Sequence, residues 1–345
     1  MEHRVVDASQ RQAVYTLIPS KRMSFRLRLG YGSYELGRIG FRWDHLNLWG
    51  RAHRYEIDFK KSFKSLNFEG TYVIPGFLSS RGSAYARAGY EFREEIDFDR
   101  ENSSLVVGAS RKLRFPGAEI SLEYGIEKQD TDRGSRRTFD SLDQAVVASL
   151  SFRGTLDRRD SVLYPTRGYD IGMQLEYAAD ALGGDSNFLK LELNSSYHKY
   201  LGSWLYLHLG LRYGTVFSET PTSSNLPFTE RFFQGGENSI RGYKRGEASS
   251  LTADGQSIGS EAYALANVEF EQRILRNFSI VLFWDGLGIE ESVKGFPDDD
   301  FLQSVGIGLR WRTAVGPIRL EYGHNLNPRD ADSDGTLHFS VGFPF

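Results

Sequence analysis

The sequence predicts an all-β fold: a 16-stranded antiparallel transmembrane β-barrel with a long lumenal loop between strands eleven and twelve. Three observations predict it. Apolar and polar residues alternate with period 2 along almost all of the 345 residues. The alternating segments run to ten or more residues, beyond the ~5–6 usual in soluble sheets. Aromatic side chains gather at segment ends (Tyr31, Tyr34, Trp43, Trp49, Tyr72, Tyr164, Tyr169, Tyr197, Tyr200, Trp204), where membrane barrels carry interfacial girdles. A soluble β-sandwich would share the alternation with its apolar face turned inward, so strand length and aromatic placement decide between them. No run approaches the ~18 apolar residues of a helical span, which excludes a helical membrane protein and leaves a barrel open.

Residues 1–20 contain no apolar block of signal-peptide length and read as a linker or truncated periplasmic segment, with Pro19-Ser20-Lys21 leading into the barrel, 21–345. Alternation then gives strands over 22–33, 35–45, 52–62, 64–74, 83–96, 103–113, 117–128 and 143–154, and over 167–179, 187–200, 203–215, 260–273, 276–287, 301–313, 316–326 and 335–345. The clearest sets Leu205, Leu207, Leu209, Leu211 and Tyr213 against Tyr206, His208, Gly210, Arg212 and Gly214. Tight connections at 201–203, 275–277 and 315–317 contrast with long polar ones at 129–142, 288–300 and 327–334. Short turns on one side and long loops on the other mark an outer-membrane barrel, and an even strand number places both barrel ends on the short-turn side, the periplasm.

A net charge of −3 carries no nucleic-acid footprint, and the absence of cysteine removes disulfides, thiolate metal sites and cysteine nucleophiles. The seven histidines show no metal-ligand spacing, and nothing calls for a cofactor. The informative segment is the long connection at 216–259, whose centre reads Phe232-Phe233-Gln234-Gly235-Gly236-Glu237-Asn238-Ser239-Ile240-Arg241-Gly242-Tyr243. If this segment enters the lumen, Arg241 needs carboxylate partners there. Strand parity turns two acids of the next strands inward, Glu269 and Asp285. In a partly wet lumen such a pair would contribute ~1–2 kcal/mol; the plain alternative is a set of charges lining a wet pore.

The loop segment from Gly235-Gly236 to Ser239-Ile240-Arg241-Gly242-Tyr243 resembles the sixth-loop signature of the BamA/TamA outer-membrane assembly superfamily. Phe283-Trp284-Asp285-Gly286-Leu287-Gly288 is similar to that family's Phe-x-Asp-x-Gly element, and Gly316-Pro317 through Gly323 to its penultimate strand. Asp157-Arg158-Arg159-Asp160 with Pro165-Thr166-Arg167-Gly168 matches its mid-barrel turn, and Gly30-Tyr31-Gly32-Ser33-Tyr34 and Asn47-Leu48-Trp49-Gly50 also fit. The resemblance covers about residues 21–345 and implies a bacterial-type outer-membrane location, an Arg241 docked on Glu269 and Asp285, and a thin seam between first and last strands that opens sideways to template an incoming strand. It implies outer-membrane lipid and unfolded outer-membrane proteins as partners, with periplasmic partners reached through N-terminal POTRA domains, which the sequence as given does not include.

The last strand ends Leu337-His338-Phe339-Ser340-Val341-Gly342-Phe343-Pro344-Phe345. Its alternate apolar residues and terminal Phe345 look like a sorting signal. Gly342 and Pro344 weaken ladder pairing opposite Gly30 and Gly32, so the seam is expected to be the weakest strand pairing. His338 and Ser340 share a strand face, as an outer-membrane phospholipase pair would, but that face is lumenal and the surrounding motif is absent, so no enzyme is expected. The alternatives are a two-partner secretion-like transporter or effector-linked barrel of the same superfamily, or a simple porin, which would have no use for the loop signature.

Overall fold

The computed structural model describes residues 2–7, 10–14, 21–133, 142–218, 226–252, 255–290, 300–313, 316–330 and 332–342. Two short strands near the N-terminus, β1 (Glu2–Asp7) and β2 (Gln10–Val14), pair with each other as a separate two-stranded sheet. The sequence reading assigned no strand there, because so short a segment shows no sustained alternation.

Sixteen further strands close into one antiparallel barrel. They are β3 (Met23–Gly32), β4 (Leu36–Leu48), β5 (His53–Ser62), β6 (Ser65–Pro75), β7 (Gly82–Glu94), β8 (Asp99–Lys112), β9 (Ala118–Asp132) and β10 (Gln144–Asp157). The second half comprises β11 (Gly168–Ala178), β12 (Phe188–Gly202), β13 (Leu205–Ser218), β14 (Ala262–Leu275), β15 (Phe278–Glu290), β16 (Asp300–Thr313), β17 (Gly316–Asn325) and β18 (Gly335–Val341). Each pairs with its sequence neighbour, and β18 meets β3 to complete the ring. The rim at which β3 begins and β18 ends is the near rim, the opposite one the far rim.

Alternation divides outside from inside. Phe25, Leu27 and Leu29 on β3, Leu122 on β9, and Ile307 and Trp311 on β16 project outward and are exposed, an apolar belt that only lipid can cover. The inner face of the first strands carries paired charges: Arg26 to Asp44 at 2.7 Å, Arg28 to Asp58 at 2.7 Å and Arg42 to Asp58 at 2.9 Å. The near-rim turn Ser203–Trp204 has both residues left-handed (φ 48° and 62°), the geometry that matches the twist of a two-residue hairpin.

Two features depart from a uniformly polar lumen with long far-rim loops. Far-rim connections are short between β3 and β8, at 33–35, 63–64 and 95–98, and lengthen from the β9–β10 connection, 133–143, onward. From β10 onward, inner positions nearest the far rim are apolar. Val147, Val216, Leu265, Leu287, Ile289 and Leu302 form a buried cluster with Leu226, Phe232, Ile240 and Tyr243 of the β13–β14 loop. The loop occupies the lumen there, so these strands bury both faces and lose the alternation of a water-facing wall.

Candidate functional site

The loop base is tied by paired backbone bonds between Phe232 and Ser260 (2.8 and 2.9 Å). Gly235 and Gly236 then adopt φ of 115° and 97°, turning the chain so that the Gly236 N–H donates to the Tyr243 carbonyl at 3.0 Å. A Cβ at Gly235 would stand 2.2 Å from the Lys244 carbonyl oxygen, so only glycine fits. Ser239 Oγ accepts from the Gly235 N–H (3.2 Å) and donates to Gln234 Oε1 (2.8 Å). Ile240 and Tyr243, both fully buried, anchor the tip on either side of Arg241 and Gly242.

Arg241 is 3% exposed and Asp285 0%. Nε donates to Asp285 Oδ2 at 2.8 Å and Nη2 to Oδ1 at 2.6 Å, a bidentate fork, while the Arg241 backbone N–H reaches Oδ2 at 3.0 Å. Nη1 donates to Glu269 Oε1 at 2.7 Å and approaches Glu321 Oε2 at 3.5 Å. The guanidinium lies 3.5 Å over the Phe283 ring centroid. Arg310 joins the same carboxylates, at 2.9 Å from Glu269 and 2.7 Å from Glu321. Thus β14, β15, β16 and β17 all contribute to one ion network, in which the Arg241–Asp285 fork is buried while Glu269 and Arg310 border a cavity.

The tip also touches the last three strands. The Gly242 N–H donates to Ser304 Oγ (3.2 Å), and its carbonyl accepts from Asn325 Nδ2 (3.1 Å) and Thr336 Oγ1 (2.9 Å). His338 Nε2 donates to the Arg241 carbonyl at 2.9 Å, which places its proton on that nitrogen. Gly323 lets the backbones meet: a Cβ there would lie 2.5 Å from the Arg241 carbonyl group. Parity alone identifies Glu269 and Asp285; Glu321, Arg310, His338 and Gly323 were not singled out as partners. Glu321 carried the same inward-parity signal, but only the barrel register shows that it converges on Arg241.

Below the tip a cavity of about 390 Å³ is lined by Tyr164, Arg212, Glu271, Arg312 and Arg319 among others. His198 and His208 face each other across β12–β13 with Nδ1 atoms 2.8 Å apart. Among the described residues no group of three His, Asp or Glu is arranged for a metal ion. Ser340 Oγ accepts from Arg319 Nε at 3.2 Å, so Ser340 and His338 are each engaged elsewhere.

The seam is the second feature. Among the described residues β18 and β3 share two register pairs, Ser340 with Gly32 and Val341 with Tyr31. Beyond them the Ser33 N–H donates to the Phe339 carbonyl at 2.9 Å, and Ser33 Oγ accepts from the Phe339 N–H at 2.6 Å. On its other edge β3 pairs with β4 from Met23–His45 to Gly32–Leu36 without a break. Phe339 and Tyr31 stand side by side across the seam, ring centroids 5.8 Å apart. β18 ends where Gly342 turns left-handed (φ 88°), its N–H donating back to the Pro317 carbonyl at 3.0 Å. A Cβ at Gly30 would come within 2.9 Å of the Val341 carbonyl oxygen. Phe343, Pro344 and Phe345 lie outside the described residues.

A closed sixteen-strand barrel with a loop tip docked on inward carboxylates defines a class, and the Omp85 superfamily domain matches residues 47–345. The chain belongs to the Omp85 superfamily and is a bacterial-type outer-membrane β-barrel. It is similar to the outer membrane protein assembly factor BamA of Nitratidesulfovibrio vulgaris, 27% identical over 328 residues, 91% of this chain and 41% of that protein. It therefore spans under half the length of that relative. The structure of BamA from Haemophilus ducreyi lacking POTRA domains 1–3 matches 99% of this chain and 74% of that one, with a TM-score of 0.82 at 17% identity. CdiB from Escherichia coli shares the fold less closely: TM-score 0.64, 13% identity, 94% of this chain and 63% of that one.

Proposed function

We propose that this chain is the barrel part of an outer-membrane assembly or translocation factor. Its substrates are unfolded outer-membrane proteins, engaged at the seam between β3 and β18, and it performs no chemistry of its own. The observation that carries this reading is the two-pair seam beside an otherwise continuous wall. Over Met23–Leu29 the seam-side N–H and C=O groups of β3 have no partner strand among the described residues. An incoming strand supplies that partner by edge pairing. The docked loop braces the wall from inside, and Arg241, Glu269 and Asp285 serve as its anchor. The near rim, where β3 begins, faces the periplasm. Resemblance to assembly factors over most of the chain favours this reading over a two-partner secretion-like transporter.

The test is a lock. The chain has no cysteine, so Tyr31→Cys with Val341→Cys introduces one pair, at positions directly opposite in the ladder. The oxidised barrel should fold yet lose the ability to speed insertion of other barrels into liposomes, with activity restored by reductant. Equal activity in the locked and reduced states would remove the seam from the mechanism.

A further inference from the structure

The two rims carry opposite charge. Lys21 and Arg22 precede β3, and seven arginines stand in the near-rim connections 49–52, 76–81, 113–117, 158–167 and 276–277, against one acid there, Asp160. Setting aside the lumenal loop, the described residues of the far-rim connections 33–35, 63–64, 95–98, 133–143, 179–187 and 326–334 hold nine acids and three Lys or Arg. Arg22, Arg51, Arg81, Arg114 and Arg276 are exposed, and among the described residues no carboxylate lies within ion-pair distance of them.

The same connections present large apolar side chains to the outside. Trp49 is 73% exposed and Leu78 90%, and Phe115, Leu163 and Trp204 are also more than half exposed. Aromatic and aliphatic groups at this height sit at headgroup depth, and a neighbouring guanidinium then meets lipid phosphate, which it can hold bidentately. The cations are spread from the β4–β5 turn round to the β14–β15 turn. A globular partner docks on one sector of a rim, whereas a lipid leaflet surrounds all of it.

We propose that the near rim is an anionic-phospholipid ring, in which exposed arginines hold phosphatidylglycerol-type headgroups while adjacent Trp, Phe and Leu side chains seat among the acyl chains. A basic residue near such a surface contributes enough to change lipid preference roughly fivefold, and the effect fades beyond the screening length of ~10 Å at 0.1 M salt.

The folded chain is reconstituted in phosphatidylcholine vesicles, and the motionally restricted fraction of spin-labelled phosphatidylglycerol is compared with that of spin-labelled phosphatidylcholine. A several-fold preference for phosphatidylglycerol that falls toward unity at high salt is expected. Arg51→Gln/Arg81→Gln/Arg114→Gln/Arg276→Gln should abolish it while the barrel still folds, read as faster migration on a gel before boiling than after. The far-rim variant Asp97→Asn/Asp180→Asn should leave the preference intact. Equal restriction of the two lipids overturns the proposal, as does a preference that survives the fourfold variant. Loss of preference to inorganic phosphate, but not to chloride of equal ionic strength, overturns it in favour of a generic phosphate site. Sensitivity to the far-rim variant assigns the effect to net charge and overturns it too.

Discussion

At the dock, one guanidinium reaches three carboxylates and an aromatic face, and neighbouring backbone groups of the tip find partners on β15 to β18. At the seam, among the described residues, the ten-residue strand β3 meets β18 through two register pairs. Both regions involve β18. Its inner face is bonded to the loop tip through Thr336 and His338, and its far edge follows β17 from Ile318–Val341 to His324–Gly335. β18 is therefore positioned by the lumen and by β17, hardly by its neighbour across the seam. A barrel can keep an incompletely zipped closure if another part of the chain holds the loose strand in register, and here the loop does so.

Breaking the dock should have the largest effect. Arg241→Ala leaves Asp285 buried without its bidentate partner, and removing one member of a dry pair costs about 3–5 kcal/mol. The expected result is a lower urea midpoint in liposomes together with faster amide exchange in β18. Arg241→Lys should recover little, since a lysine cannot form the fork. Unchanged β18 exchange would separate the two regions.

Gly323→Ala tests the same link without touching charge. Its Cβ would press on backbone at 2.5 Å, so β17 or the tip must shift, at about 1–3 kcal/mol. His338→Ala removes one bond from β18 to the tip, and a loss of about 1 kcal/mol is expected, read as increased exchange confined to 335–341. Exchange rising equally in β13 would show that the effect is global.

The smallest effect is a control away from both regions. Partial burial of Asp160 opposes its ionisation, but bonds from the Thr166 hydroxyl, the Thr166 N–H (2.8 Å) and the Arg167 N–H (3.1 Å) prevail, holding its carboxyl at about 2 against the ordinary 3.8. The folded carboxyl is the stronger acid, so its contribution is complete above about pH 4 and is lost as pH falls through 2. Proteolysis by pepsin should open the 158–167 turn across that window while the dock holds.

Much of this was legible in the sequence because a barrel wall is a local code: parity alone turns Glu269 and Asp285 inward and Leu211 outward. Strand ends shifted by a few residues, as at β8, which begins at Asp99 where alternation first shows at 103. What parity cannot give is register. That Glu321 and His338 reach the same arginine depends on how far each strand is staggered against the next. The apolar inner cluster was hidden for a related reason: Leu287 and Leu302 are apolar because a segment distant in sequence covers them.

The most direct test of the account compares residue-resolved amide exchange in the folded barrel at β3 and at β13. Each alternate amide of residues 23–29 on the seam side should exchange almost as fast as in a free chain, while the β13 amides, paired on both edges, stay protected by orders of magnitude. Uniform protection along both edges of β3 would contradict the account, because it would mean that the barrel is zipped shut where it is proposed to open.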